Sequence, residues 1–160
     1  MKSTHSTAIC PCRAQTNTPL SYAQCCQPWH TGWATGVHAP TPEQLMRARY
    51  SAYALAVSSN PQGHAMLDYL NATWHVSTAP SDLELPPTQW LGLEVLHAEQ
   101  TALAGVVEFI ARCKVGGKAH RLHEVSRFCA STAPLDCGSS AVRWWYIDGH
   151  TSEDAQIPAL

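Results

Sequence analysis

At 160 residues the chain is long enough for one domain with a real core and a small attached unit. Ten basic against twelve acidic residues leave a net charge of -2, which excludes the broad cationic surface that neutralises phosphates, so nucleic acid is not an expected partner. No apolar run of about 18 residues is present to span a bilayer, and the opening MKSTHSTAIC lacks the hydrophobic stretch of an export signal. A soluble, cytoplasmic protein without membrane association is therefore expected.

Seven cysteines cannot all pair within one chain, and four of them crowd the first 26 residues as Cys10-Pro11-Cys12 and Cys25-Cys26. A reducing compartment suits such thiols as metal ligands. A borderline ion such as zinc takes four ligands in a tetrahedron, and two short cysteine pairs separated by a loop can wrap one. The spacing differs from a zinc ribbon, which uses C-x-x-C at both ends. Zinc held by Cys10, Cys12, Cys25 and Cys26 is the expectation, set against buried free thiols or an oxidised pair. His30 is an alternative to one of the adjacent cysteines, whose angles are constrained. If all four cysteines bind, no position is left for water or substrate, and the metal's role is to fold the arm. Cys113, Cys129 and Cys137 are scattered and read as packed or loop side chains.

From Gln27 to Pro40 the density of Pro, Gly, Trp and His predicts a loop without regular structure. Thr41-Pro42-Glu43-Gln44 then reads as a helix start, with Thr41 as N-cap, Pro42 in the first turn and Gln44 closing a capping box. The helix is expected to run to about Val57. Leu45, Ala48, Ala52, Leu55 and Ala56 share one side, with Met46, Tyr50, Tyr53 and Val57 beside them, so it is largely buried. Asn60-Pro61-Gln62-Gly63 is a breaker, and a shorter helix follows from about His64 to Thr73 with Met66, Leu67 and Leu70 inward.

Four β-rich segments come next: Trp90 to Ala98, Val106 to Val115, Lys118 to Cys129 and Val142 to Asp148. Gly116-Gly117 is a hairpin signal, because both glycines tolerate positive φ. A two-residue turn there places Glu108 opposite Val125, Ile110 opposite His123 and Arg112 opposite Arg121, with Arg127 on the same face. The other face carries Val107, Phe109, Ala111, Leu122 and Phe128, interrupted by His120, Glu124 and Ser126. Such mixed faces predict a curved antiparallel sheet, packed on one side and partly lining a cavity on the other; a one-residue bulge would swap the faces. The segment Ser131 to Ser140 reads as a plain connection and the tail from His150 as polar and frayed.

Several of these stretches together resemble the YchJ-like family of uncharacterised bacterial proteins. Cys10-Pro11-Cys12 with Tyr22-Ala23-Gln24-Cys25-Cys26 resembles the SEC-C motif, named for the zinc-binding tail of the SecA translocation ATPase. Six further segments resemble the family's central domain: Leu45 to Tyr53, Thr73-Trp74-His75, Trp90 to Leu93, Val107 to Arg112, His123 to Phe128, and Trp145 to Gly149. The resemblance implies an α+β fold: a cone-shaped nuclear-transport-factor-2-like domain, its curved antiparallel sheet wrapped over helices, with a small N-terminal SEC-C zinc-knuckle arm. Residues 1–40 would form the arm and linker, 41–149 the central domain and 150–160 a flexible tail. Two details depart from the motif: Arg13-Ala14-Gln15 stands where Gly-Ser-Gly is usual, and twelve residues separate Cys12 from Cys25. A loop lengthened this little costs only about a few tenths of a kcal/mol in closure entropy.

The same fold serves enzymes and binders, so the site must decide function. Tyr50, Trp74, His75, His123, Glu124, Arg127, Trp145 and Asp148 are the polar and aromatic residues of the matched segments that could converge on a pocket. His123 and Glu124 face opposite ways on a regular strand, which counts against a His-Glu acid-base pair. The plainer expectation is ion pairing of Arg47, Arg49, Arg112 and Arg127 with Glu108, Glu124 or Asp148, and core positions for Trp74, Trp90, Trp144 and Trp145. The reading is thus a protein-binding or adaptor module with a zinc-stapled arm and no assigned catalytic residue. The SecA tail binds a chaperone and anionic surfaces, which by resemblance implies a protein partner for the arm. The alternative is an enzyme holding a small molecule in the cone, with His75 or His123 as general base.

Overall fold

The computed structural model describes residues 8–56, 61–131 and 142–151. Val57 and Asn60, the connection at 132–141 with Cys137, and the tail at 152–160 lie outside the described residues, so the expectations placed on them stand as sequence readings.

The arm opens with a 3-10 turn over Pro11–Arg13 and a second over Tyr22–Gln24. An isolated bridge between Ile9 and Ser21 draws the ends of its loop together. The stretch expected to be irregular instead forms helix α1, Gln27–Gly32, followed by a 3-10 turn over Trp33–Thr35. Proline and glycine mislead here because of where they fall. Pro28 sits in the first turn of α1, where its missing N–H costs nothing, and Gly36 ends the 3-10 turn at φ 89°.

Helix α2 spans Pro42–Ala56. Its start is the expected cap: the Gln44 N–H donates to Thr41 Oγ1 at 3.2 Å, and the Thr41 hydroxyl donates to Gln44 Oε1 at 3.3 Å. Apolar residues cover most of its circumference, and it touches α3, β1, β2, β4 and the first turn of the arm. Helix α3 spans Pro61–Ala72, beginning earlier than His64 because Pro61 occupies its first position.

The four strands are β1 (Gln89–Gln100), β2 (Ala104–Val115), β3 (Lys118–Ser131) and β4 (Arg143–Thr151), an antiparallel meander in the order β1-β2-β3-β4. Across β2 and β3 the register is the expected one, with Glu108 opposite Val125, Ile110 opposite His123 and Arg112 opposite Arg121, unbroken along the pair. Irregularities occur elsewhere, between Trp90 and Gly92, between Val95 and His97, and between Arg127 and Phe128. Bulges of this kind bend and twist the strands, which curves the sheet over α2 and α3. Trp74 bridges Tyr146 in parallel, His75 N–H donates to Tyr146 O at 2.8 Å and Tyr146 N–H to Thr73 O at 2.9 Å, so the end of α3 is zipped to β4.

At the β2-β3 turn Gly116 and Gly117 have φ of 56° and 78°. A Cβ at either meets no atom within 4 Å, so the cost of substitution is conformational. Gly117→Ala is expected to lower stability by about 1 kcal/mol with an unchanged denaturant m-value. An unaltered urea midpoint would show that the turn tolerates the side chain.

The inner sheet face buries Val107, Phe109, Ala111, Cys113, Leu122 and Phe128 against Leu45, Met46 and Ala48 of α2 and Met66, Tyr69 and Leu70 of α3. Glu124 and Ser126 are also on this face, at 0% and 1% exposure. The outer face is a charged surface. Arg112 pairs with Glu94 at 3.2 Å, His123 with Glu108 at 2.8 Å, and Arg127 Nε with Asp148 Oδ1 at 2.7 Å.

Candidate metal centre

The arm's short turns bring four sulfurs to one point. Cys10 and Cys12 flank Pro11 at the first 3-10 turn, while Cys25 and Cys26 stand between the second turn and α1. Cys12 Sγ lies 3.7 Å from Cys10 Sγ, 3.5 Å from Cys25 Sγ and 3.7 Å from Cys26 Sγ, and the adjacent sulfurs of Cys25 and Cys26 are 3.8 Å apart. All four lie within 4.8 Å of one another and could hold a metal ion. These separations are far from the 2.05 Å or so of a disulfide, and all four cysteines are free thiols. A tetrahedron with metal–sulfur bonds of about 2.3 Å has edges of about 3.8 Å, so the donor set fits one tetrahedral, thiophilic ion. Despite its twelve-residue gap, the loop closes.

Burial and charge are arranged around the same point. Cys10, Cys12 and Cys26 are at 0%, 0% and 1% exposure, with Cys25 at the rim. Cys25 is held far below the ordinary thiol range by hydrogen bonds from Cys10, Cys12 and Cys26. Cys10 is drawn down to about 7, chiefly by Cys12, whereas Cys12 and Cys26 are pushed up as donors to their neighbours. The Arg13 guanidinium also helps to lower Cys25, and its Nη1 donates to Thr18 Oγ1 at 3.4 Å. Arg47 Nη1 donates to the Cys12 carbonyl at 3.4 Å.

His30, the alternative ligand, is used elsewhere. Its Nε2–H donates to Ala48 O at 2.7 Å, which leaves Nδ1 to accept from Tyr22 O–H at 2.7 Å. Burial pulls its pKa down to about 4, so the ring is neutral at pH 7, and it packs edge-on against Tyr69. His30 therefore pins the arm to α2 and α3. His30→Ala is expected to cost about 2–3 kcal/mol, since it leaves a buried tyrosine hydroxyl and a carbonyl without partners. The midpoint of urea unfolding at constant metal content measures this, and a change below about 0.5 kcal/mol would contradict the pinning role.

The candidate pocket residues do not gather at one place. Tyr50 is buried and packs against Trp90 with ring centroids 5.7 Å apart. His75 sits at the rim, with Nδ1 2.6 Å from Ser77 Oγ and its ring against Trp145, while Arg143 stacks on the Trp145 ring at 3.4 Å. His123, Arg127 and Asp148 lie on the outer face in the ion pairs above, where the Arg127 guanidinium holds Asp148 below the usual carboxylate range. Glu124 is interior and Trp74 half-buried against the core. Trp74 lies beneath Arg49, whose Cζ is 4.9 Å from the Trp74 ring and 4.2 Å from the Tyr146 ring. Arg49, 2% exposed, was expected in an ion pair at the sheet rim; instead its Nη1 donates to Leu70 O at 2.9 Å and Thr73 Oγ1 at 2.8 Å. Glu124 Oε1 accepts from the Ser126 hydroxyl at 2.7 Å and the Tyr146 hydroxyl at 3.4 Å. The gap between α2 and the sheet here, lined by Met46, Arg49, Phe109, Ser126, Phe128 and Tyr146, is too narrow to admit a water molecule.

Sequence reasoning passed over Ser51, the residue of α2 whose side chain touches a cage sulfur. Its one legible signal is a small aliphatic hydroxyl in the largely buried run Tyr50-Ser51-Ala52-Tyr53.

Fold and cage define a class: an α+β domain with a curved meander sheet over two helices, carrying a four-cysteine arm. The family model described as "YchJ, middle NTF2-like domain" matches residues 41–149, and the chain belongs to the YchJ-like family. A UPF0225 protein of Ralstonia nicotianae is 47% identical over 152 residues, covering 89% of this chain and 91% of its own. Another, of Cupriavidus metallidurans, is 47% identical over 150 residues, 92% of each chain. A SEC-C motif containing protein of Psychrobacter arcticus, known from its crystal structure, superposes with a TM-score of 0.72 at 28% identity, covering 96% of this chain and 88% of that one. A second, the solution structure of a SEC-C motif containing protein from Rhodopseudomonas palustris, gives 0.62 at 28% identity over 86% and 96%. No helix among the described residues is long and apolar enough to cross a membrane.

Proposed function

We propose that this chain is a zinc protein in which residues 1–40 form a metal-stapled arm on a central domain of 41–149, acting as a non-catalytic adaptor that presents the arm to a protein partner. The observation that carries the zinc reading is the sulfur cage, four of whose six separations are 3.5–3.8 Å with all six within 4.8 Å, in keeping with the edges of a zinc–thiolate tetrahedron. An all-sulfur donor set favours zinc over harder ions. Cys10, Cys12, Cys25 and Cys26 together fill a tetrahedral ion's coordination, so the role is structural, and a reducing compartment such as the cytoplasm suits it.

The adaptor reading draws on two further points. The SEC-C motif is shared with a SecA tail that engages a chaperone, an analogy of motif. The gap between α2 and the sheet is too narrow to admit a water molecule, and the cavity of about 450 Å³ beside Trp90 and the Gly116-Gly117 turn contains none of the histidines, carboxylates or thiols that general acid–base or nucleophilic chemistry needs, which supports recognition over catalysis. The two histidines considered as bases lie outside both spaces, His123 on Glu108 and His75 on Ser77.

Protein purified without added zinc is expected to carry one zinc per chain by mass spectrometry, and a Cys25→Ala, Cys26→Ala double variant none; equal content in both would overturn the staple. In a lysate pull-down, partners held by the wild-type chain and lost by the double variant are the expected result, and identical recovery would overturn the adaptor role.

A further inference from the structure

The cage is not built by the arm alone. Ser51 lies in the tenth position of α2, an element of the central domain, and is 0% exposed. Its Oγ accepts the Cys12 backbone N–H at 3.2 Å and stands 3.4 Å from Cys10 Sγ. A serine hydroxyl has one proton and two lone pairs, so it can accept the Cys12 N–H and at the same time donate to a Cys10 thiolate, which has no proton of its own. One turn earlier on the same helix, Arg47 Nη1 reaches the Cys12 carbonyl. Both backbone polar groups of Cys12 are thus held by α2.

We propose that Ser51 is a positioning residue of the metal centre: its hydroxyl donates to the Cys10 thiolate and fixes the Cys12 backbone, so that metal affinity depends on docking of the arm onto α2. This rests on the metal reading above. Four thiolates around a divalent ion carry a net charge of -2, and in a buried site that charge requires donors. Ser51 supplies one from outside the arm, as outer partners of metal ligands commonly do. The centre then reports whether the arm is docked, because an arm lifted from α2 loses this donor together with the His30–Ala48 bond.

The test is competition for Zn²⁺ between the full-length chain and a chromophoric chelator, run on wild type, Ser51→Ala and Ser51→Thr. Ser51→Ala is expected to weaken affinity about 10- to 100-fold, with Ser51→Thr, which keeps the hydroxyl, closer to wild type. Cobalt-loaded protein gives a second readout: loss of the hydrogen bond to Cys10 should shift the sulfur-to-cobalt charge-transfer band in Ser51→Ala and less in Ser51→Thr. A serine that only packs would lower the stability of metal-free and metal-loaded chains equally, leaving affinity and band unchanged, and that result overturns the assignment. A wild-type chain that takes up no Zn²⁺ overturns the metal reading and this proposal together, whereas tight wild-type binding matched by Ser51→Ala overturns only the proposal.

Discussion

Cys12→Ala is expected to take metal content from one ion per chain to near zero and to unfold the arm. Cys12 is the hub of the cage, with its sulfur 3.5–3.7 Å from the other three. It is fully buried, so no water can move into the vacated position without opening the arm. Structural zinc contributes on the order of 10 kcal/mol to small metal-folded units. The arm's buried residues are few, chiefly its cysteines with Tyr22 and His30, and cannot replace that. Calorimetry should show the arm melting separately, well below the central domain, as it should when wild-type protein is treated with a strong chelator. Cys113→Ala is the control, because Cys113 is buried on the sheet at β2; it should keep its metal and lose only the stability of a small cavity. A Cys12→Ala chain that retains one ion, or that melts like wild type, would refute the staple.

Gly149→Ala is expected to destabilise the central domain by about 2–3 kcal/mol, large for one methyl group. Gly149 lies on β4 opposite Ser126. A Cβ there would come 1.9 Å from Glu124 Oε1, 2.4 Å from its Cδ and 2.9 Å from its Cγ. The collision runs along the side chain, so rotating the carboxylate does not relieve it. Glu124 has nowhere to go, since it is 0% exposed and its oxygen is held by Ser126 and Tyr146. Displacing it would strip donors from a buried carboxyl, which is costlier than the steric strain alone. A double-mutant cycle checks the cause: with Glu124→Ala already present, adding Gly149→Ala should cost under about 1 kcal/mol, giving a coupling of at least about 1 kcal/mol. Additive effects would mean that Gly149 matters for some other reason.

Much of the architecture was legible because it is written in local rules. The Thr41-Pro42-Glu43-Gln44 cap, the period of the α2 apolar residues and the Gly116-Gly117 turn each depend on neighbours a few positions away. The turn alone sets the register of β2 on β3, and the pleat of an unbroken strand turns the adjacent His123 and Glu124 to opposite faces. Helix α1 is hidden in the sequence because a proline marks either a break or a first turn, and only its position relative to the helix start distinguishes them. The pocket expectation failed to gather its residues for a different reason. It assumed that polar side chains in matched segments share a side, whereas His123, Arg127 and Asp148 have partners on the outer face and Glu124 is satisfied within.

The sequence by itself determined the chemistry on offer, four thiols in two tight pairs and a meander of β-rich segments after two helices, because residue type and short-range spacing carry those properties. Only the tertiary structure decided that the four sulfurs meet within 4.8 Å of one another, that His30 is a pin, that Glu124 fits because Gly149 has no side chain, and that Ser51 touches Cys10 across 41 positions of chain. Those contacts depend on how α2 lies against the arm and the sheet, and close packing between distant segments leaves no periodic trace in the chain.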